Sequence, residues 1–282
     1  MAKPTFKLNR RHWLQGVVLA PMASALPALA QAPAGAPCRI GFIRHYEPFS
    51  FLDDNDRPIG FDVDVSRRLC QLLGRPMQAV PAGLATLTQS LHNQDIDWLG
   101  NQLLITPQNR RQYDFVQPAY ANIQLSCVHH EDAPRDFLSL DDLVGKRLGV
   151  LAGTGVEEQA RAALGKSVVG FESIEQGLHA LAKQQIDAVL EENLIAEYYI
   201  EQHHWPIKVT APFAPPIALG LPVRKGDEAT RQQLAQAIET LLRDGSLKTI
   251  SERWFGYDVS RPRASPAKGV ASSACAKPTS ER

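Results

Sequence analysis

Cysteine is scarce in this chain: Cys38, Cys70, Cys127 and Cys275 are the four among 282 residues, and no two share the short spacing of a metal-binding cluster. That excludes a cysteine zinc site. An oxidising compartment would permit a disulfide, but the spacing does not choose its partners. Basic charge is not in excess, since 30 Lys and Arg face 30 Asp and Glu. Nucleic acid, which calls for a basic face, is therefore not an expected partner. Beyond residue 30 no apolar run is long enough to cross a bilayer. Gly165-Lys166-Ser167 lacks the upstream glycine of a phosphate loop, Gly153-Thr154-Gly155 lacks the third glycine of a dinucleotide fingerprint, and no Gly-x-Ser-x-Gly elbow occurs. The acidic turn Asp53-Asp54-Asn55-Asp56 lacks the glycine and final glutamate of a calcium loop and reads as a solvated hairpin tip. Neighbouring histidines usually point apart, so His129-His130 and His203-His204 read as solvated surface. Neither a cofactor nor a metal is expected.

What is present begins with an export signal over residues 1–30. Lys3, Lys7, Arg10 and Arg11 precede an apolar-rich stretch that ends in the small-x-small site Ala28-Leu29-Ala30. Residues 9–14 resemble a twin-arginine signal, and an ordinary secretory signal with two chance arginines fits as well. Pro37 before Cys38 does not match a lipoprotein cleavage site. A periplasmic mature protein is expected. Four of the 30 basic residues and no acidic ones lie in residues 1–30, which leaves 26 basic against 30 acidic, a net charge of −4. Residues 259–282, rich in Pro, Ala and Ser, have too few large apolar residues to pack and are expected to be a disordered tail.

The mature chain is organised around residues 60–74, GFDVDVSRRLCQLLG. Asp62 is expected to cap a helix whose apolar face carries Val65, Leu69, Leu72 and Leu73. Cys70 reads as a small buried apolar residue on that side, Gly74 ends the helix, and Pro76 prevents its restart. A strand at 39–43 precedes this helix. A strand at 77–80, a helix bearing Leu84, Leu87 and Leu91, and a strand at 96–99 follow it. A second α/β run follows an extended segment at 122–128. It has a strand at 148–151, a helix at 156–164, a Ser173/Gln176 capping box, a strand at 188–190 and a helix at 192–202. The chain returns along 217–223, Asp227 caps a long helix, and residues 245–254 form a last one. The alternation implies parallel sheets with helices on their faces, in two lobes with a cleft between them.

Residues 60–65 (GFDVDV), Ile105-Thr106-Pro107, Asp114-Phe115 with Pro118-Ala119-Tyr120, AGTG from Ala152, IDAV from Ile186, AEYYI from Ala196, VRKGD from Val223 and DGSLKTISERWFG from Asp244 fall in one order and spacing. Together they resemble the family 3 extracytoplasmic solute-binding proteins, the amino-acid receptors of ABC importers, over residues 39–257. The resemblance implies a two-lobed α/β fold of the type II periplasmic-binding-protein kind. Lobe 1 would be residues 37–121 with 224–258, and lobe 2 residues 122–223. Hinge strands are expected near 121–123 and 217–219. It also implies a monomer that traps a small polar solute and delivers it to an ABC permease, without chemistry of its own.

Carried over residue by residue, the resemblance puts Tyr46 and Leu84 against the ligand. It assigns Thr154 and Gly155 to a helix N-terminus that holds a carboxylate, and Glu192 to the ligand ammonium. Three positions depart from the pattern. Asn109 stands where the family has its bidentate arginine, with Arg110 one residue later; Ile43 replaces an aspartate; and Leu104 replaces a hydroxyl residue. An amine or a neutral polar solute would then suit Glu192, Asn101, Gln102 and Asn109 as well as an α-amino acid. Two other functions remain open on the same fold: an exported dehydratase using Glu192 as general acid, and a receptor that presents its ligand to a sensor or periplasmic partner.

Overall fold

A computed structural model describes residues 35–105 and 107–262. The expected export signal, Thr106 and residues 263–282 with Cys275 lie outside the described residues. Those residues form eight α-helices: α1 Phe61–Leu72, α2 Leu84–His92, α3 Asn109–Gln112, α4 Gly155–Leu164, α5 Ile174–Ala182, α6 Asn193–His203, α7 Glu228–Arg243 and α8 Ser246–Phe255.

Two five-stranded sheets organise the molecule. The first runs Met77–Ala82, Cys38–Ile43, Trp98–Leu99, Pro222–Arg224, Tyr113–Phe115, and the second Val168–Phe171, Leu148–Leu151, Ala188–Glu192, Leu125–His130, Ile207–Pro212. Each is parallel at one side, as βα alternation requires. Each is antiparallel at the other, where wholly parallel sheets were expected. Pro222–Arg224 runs against both its neighbours, and so does Leu125–His130. These are the strands by which the chain arrives from the other lobe, so no helical crossover sets their direction. Pro222 and Val223 thereby join the first sheet, just ahead of the expected lobe boundary. The two crossings, Ala121–Ile123 and Ile217–Gly220, pair antiparallel with each other, and Leu103–Leu104 adds a third strand.

The organising helix forms as its pattern predicts, but its start is built differently. Gly60 is the N-cap, with φ of 132°, and a Cβ there would lie 2.3 Å from the Phe49 carbonyl oxygen. Only glycine tolerates both conditions. Asp62 therefore does not cap α1; its side chain turns into the core and is wholly buried. Val65, Leu69 and Cys70 are buried as expected, whereas Leu72 is exposed. The helix packs on α7 and α8 as well as on the sheet, which moves its buried face away from Leu72. At its end Gly74, with φ of 65°, lets the Gly74 N–H donate to the Gln71 carbonyl.

Other caps follow the sequence. Ser173 Oγ accepts from Gln176 N–H and Asp227 Oδ1 from Thr230 N–H. The Asp53 carboxylate holds the turn after Ser50–Leu52, accepting from the Asn55 and Arg57 N–H groups and pairing with the Arg57 guanidinium. Two expectations are corrected. His129 is buried, not solvated, with Nε2 3.1 Å from Asp136 Oδ1. It lies on a strand flanked on both sides in the second sheet, with its ring edge-on to Phe137. Val259, assigned to the disordered tail, is also buried, and its carbonyl accepts from the Asn122 N–H at 2.9 Å.

Candidate functional site

The floor of the first lobe is a buried polar cluster built on the start of α1. Asp62 Oδ1 accepts from the Tyr120 hydroxyl at 2.7 Å, and Oδ2 from Asn101 Nδ2 at 3.1 Å. With its amide nitrogen toward them, Gln102 donates to Asp62 Oδ1 at 2.8 Å and to the Tyr120 hydroxyl at 3.0 Å. Asn101 also accepts from the Ile43 N–H at 2.7 Å and bonds Ser50 Oγ, which in turn donates to the Ile43 carbonyl. Burial lifts the Asp62 carboxyl to about 8, against these hydrogen bonds, which favour the charged form. Asn101 and Gln102 are almost wholly buried, at 2% and 3% exposed, and are tied into this cluster. They shape the floor.

Tyr46 connects that floor to the second lobe. Its hydroxyl bonds Gln102, its ring lies 5.0 Å from that of Phe49, and its phenol is raised first by burial and then by the charges of Glu192, Asp62 and Glu191. Three carboxyl groups thus act on one tyrosine. Glu192 ends the strand Ala188–Glu192 at the N-cap position of α6, with no side-chain capping bond, and is half-buried. Burial raises its carboxyl to about 7. Glu191 beside it accepts from the Glu192 N–H at 2.8 Å, and burial raises it to about 8. Glu192 is the first of the three to ionise as pH rises, and a positively charged guest beside it would favour its charged form.

Part of the helix start expected to receive an anion is already engaged. Thr154 caps α4: its Oγ1 donates to the Leu151 carbonyl at 2.7 Å and accepts from the Glu157 N–H at 3.2 Å. Glu157 reaches back so that its Oε2 accepts from the Gly153 N–H at 2.8 Å, while Arg161 pairs with its other oxygen. These bonds hold the Glu157 carboxyl below the usual carboxylate range. The protein's own carboxylate thus sits at this helix start beside the exposed Gly155.

Asn109, where the arginine was expected, opens the single-turn helix α3 and donates its amide to the Leu104 carbonyl at 2.8 Å. Arg110 is exposed, and its carbonyl accepts from Lys225 Nζ. Leu104 pairs with Leu219 in the three-stranded sheet and is 36% exposed; Leu84, at the start of α2, is 43% exposed. Both present apolar surface to solvent and are not core residues. A separate cavity of about 880 Å³ opens between α6 and α8, lined by Phe51, Tyr198, Trp254 and Tyr257. None of the candidate residues lines it.

A model of the bacterial extracellular solute-binding proteins, family 3, matches residues 38–257. The chain belongs to this family. Like other family 3 members it is a solute-binding protein that works outside the cytoplasm. The L-cystine-binding protein TcyJ of Escherichia coli strain K12 is 30% identical over 223 residues, covering 79% of this chain and 84% of that protein. Among solved structures, the L-cystine solute receptor of Neisseria gonorrhoeae, in its unliganded open conformation, matches with a TM-score of 0.69 and 26% identity over 80% of this chain and 95% of that one. The ancestral amino-acid-binding protein AncCDT-1, a precursor of cyclohexadienyl dehydratase, matches with a TM-score of 0.63 and 26% identity over 78% and 95%.

The sequence did not announce Asp62, Tyr120 and Ser50 as members of the buried cluster, or Glu191 as the acid bonded to the Glu192 N–H. An aspartate two residues after a strained glycine reads as a cap from sequence. The Thr154-x-x-Glu157 spacing of a capping box was available to signal that the α4 start supplies its own carboxylate.

Proposed function

We propose that this family 3 protein captures a small polar solute carrying a positive charge, with Glu192 as the group that pairs with it. The observation that carries the reading is the set of carboxyl groups around Tyr46, Glu192 foremost, set against Asn109 and Glu157 where a carboxylate receptor needs cationic or vacant donors. Tyr46 and Leu84 supply apolar contact, Asn101 and Gln102 the floor, and Leu104, Asn109 and Arg110 one rim. Thr154 and Gly155 supply the other. The lobes, 37–121 with 224–258 and 122–223, close about the paired crossings at 121–123 and 217–219, so that a bridging ligand shifts the population toward the closed form. The loaded monomer then meets an ABC permease in the periplasm.

Calorimetric titration against matched ligands tests this: an α-amino acid, its decarboxylated amine, and a neutral carboxamide of the same side chain that lacks the amino group. Comparable binding of the amine and the amino acid, with none of a neutral solute, supports the reading. Binding that requires the carboxylate overturns it. A general acid needs a carboxyl near neutrality, as Glu192 has, so a dehydratase is the second reading. Turnover of a hydroxylated ring acid, lost in Glu192→Gln, would support that instead.

A further inference from the structure

Cys38 opens the first strand and Cys70 lies in the last turn of α1, and both are buried, at 0% and 2% exposed. The turn between α1 and the strand Met77–Ala82 brings them together. Gly74 reverses the chain, the Arg75 N–H donates to the Cys70 carbonyl at 3.0 Å, and the Cys38 N–H donates to the Pro76 carbonyl at 2.8 Å. Cys38 then stands opposite Met77 in register. These main-chain bonds fasten the end of the helix to the start of the strand. The two thiols, free in the structure, lie within hydrogen-bonding reach of each other. Cys127 is buried in a different core cluster, in the second lobe.

Arg75 closes the corner, donating to the Ala36 and Pro37 carbonyls and pairing with Asp97. The hydrogen bond from Cys70, and then the Arg75 guanidinium, hold the Cys38 thiol below its ordinary range against the effect of burial, while the same contact and burial raise Cys70.

We propose that Cys38 and Cys70 are joined by a disulfide in the mature protein. A protein of an extracellular family is exported into an oxidising compartment, where such a bond forms and persists. The Cys38 thiolate attacks the disulfide of an acceptor, a thiol–disulfide oxidoreductase or oxidised glutathione, and expels one acceptor thiol. Cys70, giving up its proton, attacks the Cys38 sulfur of the mixed disulfide and expels the second. Two S–H bonds are lost, one S–S bond forms, and the acceptor takes up two electrons and two protons. Because both sulfurs are shielded in the folded chain, the exchange takes place before this corner closes. The cross-link ties α1, and with it Asp62, to the sheet, and restrains the unfolded chain between the two positions.

The test uses the mature chain isolated from exporting cells, denatured in N-ethylmaleimide and analysed by intact mass and a non-reducing peptide map. Alkylation of Cys127 and Cys275 alone, with a Cys38–Cys70 linked peptide and an intact mass about 2 Da below that of the reduced chain carrying two N-ethylmaleimide adducts, is the expected result. Four alkylated cysteines, or a link to any other partner, overturns the proposal. A second measurement does not depend on the map. After unfolding in dithiothreitol and refolding in its presence, the wild-type protein should melt several degrees lower than before, whereas Cys70→Ser given the same treatment should not change; equal Tm values before and after the treatment in the wild type overturn it as well.

Discussion

The Tyr120 hydroxyl donates to Asp62 at 2.7 Å with both side chains wholly out of water. Asp62 is also the acceptor for Asn101 and Gln102, so its removal would orphan three donors at once. Asp62→Ala should cost about 2–4 kcal/mol in urea unfolding, the cost of leaving buried partners unpaired. An unchanged urea midpoint would show that the cluster does not hold the first lobe together.

The raised carboxyls set the sign of the pH dependence. Asp62 and Glu191 near 8 and Glu192 near 7 hold protons in the folded protein that the unfolded chain releases at ordinary carboxyl values. Between about pH 5 and 8 the native state thus binds more protons, and stability falls as pH rises, by up to about 1.4 kcal/mol per pH unit for each group so titrating. The urea midpoint of the ligand-free protein should be higher at pH 5 than at pH 8. A flat or rising profile would contradict the burial of these groups.

Glu192→Gln should lower affinity for a cationic solute by about tenfold to a hundredfold, the range of a charge-assisted hydrogen bond. Wild-type affinity should rise between pH 6 and 8 as Glu192 ionises, and the variant should lose that rise. Calorimetry at three pH values reads both. Equal affinities would remove Glu192 from the site.

Asn109→Arg restores the planar fork that the family pattern has at this place. The variant is expected to favour an α-amino acid over its decarboxylated amine by about tenfold relative to wild type. If the ratio does not move, the α3 turn does not face the ligand.

Gly60→Ala meets both a positive φ and the Phe49 carbonyl. A loss of about 2–4 kcal/mol is expected, read as a fall in Tm; an intact Tm would mean the turn can relax at little cost.

Much of the architecture was legible because it is written in local chemistry. Ser173 and Asp227 accept from the N–H groups that their helix starts leave open, as their spacing announces. The alternation of strand and helix likewise gave two α/β units. What escaped depends on partners distant in sequence. Asp62 reads as a cap until Tyr120, 58 residues later, arrives to donate to it. His129 reads as surface until its strand proves to be flanked on both sides. Strand direction was misread where a crossing from the other lobe, and not a helix, delivers the strand. Within the site, the missing arginine at Asn109 was visible as a departure from the pattern. The self-satisfied start of α4 required the reach of Glu157 to Gly153 to be seen.

Val259, buried against the first lobe, has a practical consequence through its carbonyl bond to Asn122. Asn122 Nδ2 also donates to the Ser260 carbonyl, so the last described stretch is fastened alongside one of the two crossings. A dye or affinity handle attached just after Pro262 would therefore sit beside the pivot, where the lobes swing through the smallest arc. Cutting the chain before Val259 would strip an apolar side chain and two main-chain acceptors from that pivot. Reporters meant to register closure belong far from this end, and any shortened version is best ended after Ser260.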